Sequence, residues 1–119
     1  DYLMTEAEAL GVADKVVVVM GSDFGRTPGY NAGDGKDHWS ITSMMMMGAG
    51  IEGNRVIGAS DEGHSPLSVD PVTLATTKQG VRIKPGHIQN ALRKLAGIDD
   101  EPIVQQFPLT ESEKLAFFG

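Results

Sequence analysis

Val16-Val17-Val18-Val19-Met20, running straight into Gly21-Ser22-Asp23-Phe24-Gly25-Arg26-Thr27-Pro28, is the stretch on which the fold turns. The first five residues are apolar, mostly β-branched, and show no polar alternation. Such a run suits a central strand buried on both faces, as in an α/β sheet. The segment after it then reads as the loop at the strand's C-terminal end, where open α/β sheets place their chemistry.

Before this strand, residues 1–10 have Leu3, Ala7 and Leu10 at helical spacing, and Gly11 is the stop. A helix starting at residue 1 without a cap leads us to expect the C-terminal part of a longer protein, a trimmed N-terminus being the alternative. After the strand, residues 29–36 form a polar, glycine-rich loop, which Asp37-His38-Trp39 closes. Residues 41–47 are a second apolar strand ending at Gly48-Ala49-Gly50. Its four consecutive methionines, Met44 to Met47, read as buried residues that fill irregular gaps. Adjacent strand residues point to opposite faces, so the four cannot all face one metal ion.

Further along, 56–59 is a short strand, 60–80 a loop with Pro66 and Pro71, and 81–83 another short strand. Pro85 suits the first position of a helix. Ile88, Ala91, Leu92, Leu95 and Ala96 then recur at helical spacing, and Gly97 ends it. Asp99-Asp100-Glu101-Pro102 breaks the pattern. Thr110 with Glu113 fits a capping box for a last short helix, whose Leu115, Phe117 and Phe118 would clip onto the body.

Composition narrows the function. The chain has 119 residues, 40% hydrophobic and 22% charged, with a net charge of -6. That is ordinary globular composition for one modest domain. The acidic balance argues against a nucleic-acid surface, which needs clustered Lys and Arg. No apolar run approaches the roughly 18 to 20 residues of a membrane span. With no cysteine, disulfides and thiolate metal sites are excluded.

Three places carry chemistry. Asp23, just after the buried strand, can reach a metal or a substrate hydroxyl, or it can form a turn or a cap. Arg26 can neutralise Asp23 or hold an anion with its planar fork. Asp37-His38 pairs a common metal ligand with a carboxylate that can orient or supplement it. With Asp23, it would put two strand-end sites in one crevice. Donors of this kind suit Zn, Mn, Mg or Ca. The third place, Ser60-Asp61-Glu62-Gly63-His64, reads as a surface loop. His87, in the first turn of its helix, reads as an ordinary exposed residue. Ser22 and Thr27 become nucleophiles only beside a base. Walker, dinucleotide, HExxH and GxSxG motifs are absent.

The order of Phe24-Gly25-Arg26-Thr27-Pro28, Gly35-Lys36-Asp37-His38-Trp39, Gly48-Ala49-Gly50-Ile51, Gly53 to Asp61 and Leu95-Ala96-Gly97-Ile98-Asp99 closely resembles one known pattern. It resembles the C-terminal end of the sulfatase-like proteins of domain-of-unknown-function family 1501, over roughly residues 1–100. That family is similar to the alkaline phosphatase superfamily of metal-dependent hydrolases. The resemblance implies an α/β fold, the C-terminal portion of an alkaline-phosphatase-like sheet flanked by helices. It divides the chain into 1–98, part of that domain, and 99–119, a tail with a short helix.

The same resemblance implies a divalent-metal site for hydrolysing phosphate or sulfate esters. Asp23 stands at the Asp of the superfamily's Asp-His-Gly segment, a position where this family more usually has Glu. His38 matches the histidine of the other metal, Asp37 stands beside it, and Arg26 would contact the anion. Phe24 stands where the superfamily has His, so one ligand is lost. The nucleophile belongs to upstream strands outside this chain, and catalysis is not expected of the chain alone. The other reading is a non-catalytic binding or structural component of an extracytoplasmic assembly. The resemblance implies a periplasmic location. The sheet would keep an open apolar edge, covered by the rest of the same polypeptide or by another chain.

Overall fold

The computed structural model describes residues 2–111 and 113–118. The chain divides into two compact units, residues 1–54 and 55–119. Helices and small antiparallel sheets are both present, so the protein is a mixed α and β structure.

In the first unit, α1 spans Tyr2–Ala9. Residue 1 of the expected helix lies outside the described residues. Gly11 takes φ +66°, Gly11 N donates to Glu8 O, and Val12 N donates to Ala7 O. This paired closure satisfies two carbonyls of the last turn, and it needs a residue that tolerates the left-handed region. A short 3-10 turn, Ala13–Lys15, leads into β1, Val17–Gly21. β1 pairs antiparallel with β4, Met44–Gly48, in the register Val17↔Gly48 to Gly21↔Met44. At Gly48 φ is +113° and a Cβ would lie 2.2 Å from Val16 O, so only glycine closes the ribbon there.

The doubly buried central strand is therefore not what forms. Val17 and Val18 are half-buried, while Val19, Met20, Met44 and Met45 are 38–51% exposed. The reason lies in the return path. The chain comes back directly through a polar loop and pairs antiparallel, whereas parallel neighbours need a crossover, usually a helix. Of the four methionines, Met44 and Met45 are exposed and Met46 and Met47 half-buried, and none joins the buried core.

The second unit has a core. Val69 is wholly buried, and Leu74, Leu115 and Phe117 join it, with Ile57, Val81, Ile83, Ile88, Ala91 and Phe118 packed around them. Val69 exchanges both backbone hydrogen bonds with Val81, at 2.9 and 2.8 Å. The stretch 60–80, read as loop, thus carries the most deeply buried side chain. Leu74 takes φ +60°, a backbone conformation costing about 1–2 kcal/mol for an L-residue. Burial of its side chain offsets that, and Asp70 holds the turn by accepting from Val72 N and Thr73 N.

The expected strand at 56–59 does not form, Val56 being 93% exposed, and that at 81–83 is reduced to a single bridge, Val69↔Val81. Helix α2 runs Pro85–Leu95, with Pro at its start and Gly97 at φ +66° after its end, as the sequence indicates. Pro102 opens a further short helix, α3, Pro102–Gln105, where only a break was expected. The capped last helix does not form: Thr110 Oγ1 donates to Glu111 Oε2, and 113–118 is non-helical. Ser112, inside that expected helix, lies outside the described residues. The apolar clip itself is present, since Leu115 and Phe117 are both buried.

Candidate functional site

The sequence-selected residues gather on a second, shorter ribbon of the first unit. β2, Gly25–Arg26, pairs antiparallel with β3, His38–Trp39, in the register Gly25↔Trp39 and Arg26↔His38. A Cβ on Gly25 would lie 2.0 Å from Ile41 O, so this strand approaches the chain after β3 through a glycine. Directly opposed residues of an antiparallel pair project from the same face. Arg26 and His38 therefore share a face, and Phe24, two residues before Arg26, shares it too.

Contacts follow from that placement. The His38 ring stacks on Phe24 with centroids 3.8 Å apart and planes inclined by 21°. The Arg26 guanidinium lies over the same phenyl ring, 5.0 Å from its centroid. Phe24 thus carries a cation and an imidazole, both attracted to an aromatic face. Arg26 Nη1 donates to Lys36 O at 3.0 Å, so part of its fork is already used. No ion pair joins Arg26 to Asp23 among the described residues; Asp23 Oδ1 instead faces the Ser22 hydroxyl at 3.4 Å.

The connecting loop is organised by Asn31. Its Oδ1 accepts from Gly33 N and Gly35 N, and its Nδ2 donates to Asp37 Oδ1 at 2.8 Å. The Asp37 backbone is tied to Thr27: Asp37 N donates to Thr27 Oγ1, and Thr27 N to Asp37 O. Lys36 Nζ donates to Pro28 O and lies 5.0 Å from the Tyr30 ring centroid. Asp23, Arg26, Asp37 and His38 are all exposed.

The structure brings Arg26 and His38 into register, with Asp23 and Asp37 each one residue from a member of the stack. It does not assemble a metal centre: among the described residues no three His, Cys, Asp or Glu side chains form a group able to hold an ion. The donors present do not by themselves fit a metal. Ser60 to His64 is a surface turn, where Asp61 Oδ1 accepts from Ser65 N.

His87 departs most from expectation, being 2% exposed. Its Nδ1 accepts from Lys84 N at 3.1 Å, and its own N donates to Lys84 O. The reciprocal pair does for α2 what a capping box does, with imidazole in place of the usual carboxylate or amide. The signal was in the sequence: His87 stands three residues after Lys84, at the position such a motif uses. Asn31 gave a weaker signal, an amide among glycines that can close a turn.

A family model described as "Protein of unknown function (DUF1501)" matches residues 1–106. No curated protein and no solved structure matches the chain. The matched residues take in both ribbons, α2 and α3, and the chain belongs to this family of proteins of unknown function, DUF1501.

Proposed function

We propose that the chain contributes the anion-binding side of a sulfatase-like hydrolase of phosphate or sulfate esters, working within a larger α/β sheet. The observation that supports this is the Arg26↔His38 register pair on the exposed face that Phe24 carries. A guanidinium fork and an imidazole edge on one face suit a tetrahedral oxyanion. Summed over the reaction, the ester bond breaks, the alcohol leaves with a proton from water, and the water oxygen ends on phosphorus or sulfur; the nucleophile is not assigned to this chain. Within this chain only the anion contact is assigned.

Asp23, Asp37 and His38 would serve a divalent ion, Zn, Mn, Mg or Ca, only with ligands from outside the described residues, and no step is assigned to a metal. The exposed Val19, Met20, Met44 and Met45 support a neighbouring strand or layer, from the same polypeptide or another chain. The periplasmic location rests on the resemblance alone.

Titrating inorganic sulfate into the protein, followed by NMR, tests the anion contact. Shifts centred on Arg26 and His38 that vanish in Arg26→Ala are expected; no shift in the wild type removes the reading. A second reading, a non-catalytic binding or structural component, is favoured by Phe24 covering one face of His38. Metal-dependent turnover of an aryl phosphate or sulfate by the pure protein would count against it.

A further inference from the structure

Two carboxylates from the C-terminal segment meet the first turn of α2. The Glu111 side chain, 15% exposed, lies so close to Gly86 that a Cβ there would sit 1.9 Å from Glu111 Oε2. The start of a helix has unpaired N–H groups and a partial positive charge, so a carboxylate is favoured there. Lys84 Nζ lies 3.7 Å from Glu111 Oε1, and Asn90 Nδ2 donates to Glu111 O at 2.9 Å. Glu113 Oε2 lies 3.5 Å from His87 Nε2, a buried atom with no hydrogen-bond partner. Because His87 Nδ1 already accepts from Lys84 N, the ring proton belongs on Nε2, directed at Glu113.

Beyond these carboxylates, one backbone bond among the described residues ties 113–118 to the rest of its unit: Ala116 N donates to Pro71 O at 2.9 Å. Arg55 donates to Phe117 O. Leu115 and Phe117 enter the core. With Ala91, Lys94, Leu95 and Ala116, Leu115 and Phe118 line a groove of about 250 Å³ along α2.

We propose that residues 113–118 form a strap latched to the start of α2 by charge, which opens as one local unit when Glu111 and Glu113 are neutralised, uncovering the apolar side of α2. Segments with few backbone bonds to the body open before the rest. The charged and titratable groups that face the two carboxylates are Lys84 and His87, both from the start of α2. Charging His87 would strengthen its pairing with Glu113 but remove the acceptor for Lys84 N, so the carboxylates are the cleaner handle.

Both carboxyls are held below their usual range. For Glu111 the main cause is the Thr110 hydroxyl, for Glu113 its own backbone N–H and then His87. A lowered pKa gives stability that is present above the unfolded value and lost as pH falls through the folded one. The contacts to Lys84 and His87 need the charged carboxylates, so the latch is intact at neutral pH and weakens as acid protonates them.

Amide hydrogen exchange on the full chain tests the strap. At pH 7, the Glu111→Gln, Glu113→Gln double variant should exchange its Ala116 amide about tenfold faster than wild type. The Val69 and Val81 amides should stay unchanged. Acidifying the wild type should also accelerate the Ala116 amide after correction for intrinsic rates, and by more than it does in the double variant. An unchanged Ala116 amide overturns the latch. Equal acceleration of Ala116, Val69 and Val81 overturns local opening, and an acid effect on Ala116 as large in the double variant as in the wild type overturns the role of the two carboxylates.

Discussion

The two units of this chain are held by different forces. Residues 55–119 close around Val69, Leu74, Leu115 and Phe117, brought together from two separate segments. Residues 1–54 contain one buried apolar side chain among those described, Ala7, and rely on two short antiparallel ribbons and an Asn31-centred loop. The candidate site lies entirely in the unit with little core. Packing keeps the second unit in shape, whereas the first leaves Val19, Met20, Met44, Met45 and the polar candidate site exposed. The candidate site and the buried core are thus separated along the chain.

Removing a core side chain should show the largest effect. Phe117→Ala deletes a ring that is 6% exposed, and the expected loss is about 3–5 kcal/mol in urea unfolding. A loss under about 1 kcal/mol would mean that the strap contributes no core and that the contrast between the units is false.

Next in size is the glycine that lets the site form. In Gly25→Ala the new methyl would meet Ile41 O at 2.0 Å, a backbone atom that cannot rotate away. Separation of β2 from β3 should cost about 2 kcal/mol or more. Trp39, the only tryptophan and the partner of Gly25, reports this by fluorescence. An unchanged spectrum and stability would show that the ribbon is not a tight element.

Asp70 gives the second unit a pH signature. Its carboxyl is held below the ordinary aspartate range, chiefly by the Thr73 and Val72 N–H groups, then by the Thr73 hydroxyl. Its contribution is therefore present above about pH 4 and lost as acid protonates the folded form. Asp70→Ala should lower the urea midpoint at pH 7 and lower it by less at pH 3. Equal losses at both pH values would assign the turn to backbone geometry alone.

What was legible in the sequence follows from the range of the forces. Local signals held: Pro85 and Gly97 bracket α2, Gly11 closes α1, and Asp37-His38-Trp39 returns to Phe24-Gly25-Arg26. Signals that depend on distant partners did not. A β-branched run cannot say whether its neighbour is parallel or antiparallel, so 16–20 was read as a central strand. The Thr110 to Glu113 spacing was read as a cap, but Glu111 is drawn instead to the start of α2. Val69 and Leu74 were hidden in a polar, proline-containing stretch, because their burial comes from residues far along the chain. Asp23, Arg26, Asp37 and His38 were found as residue types, but the stack on Phe24 needs the strand register to be seen.

Phe24 offers a way to sharpen the site. Phe24→His would place a second imidazole where a ring now stacks 3.8 Å from His38, giving Asp23, His38 and Asp37 a further nitrogen donor nearby. Zinc binding should tighten about tenfold, equivalent to about 1.4 kcal/mol, in a calorimetric titration. His38→Ala in that background should reverse the gain. A titration that does not change with Phe24→His would remove these residues from consideration as metal donors and leave the anion contact at Arg26 to stand alone.

The smallest expected effect bears hardest on the comparison. Val19→Thr and Met45→Thr change side chains that are 38% and 51% exposed, on β1 and β4. If that ribbon faces water in the working protein, each should shift stability by no more than about 0.5 kcal/mol. Threonine is also a good strand residue, so the ribbon itself should survive. A loss of 1.5 kcal/mol or more, of the order expected for a fully buried aliphatic side chain, would mean that another layer covers the ribbon. Sedimentation at several protein concentrations then separates the sources: a loss that scales with dissociation places a second copy on the ribbon, and a loss independent of concentration places another part of the same polypeptide there.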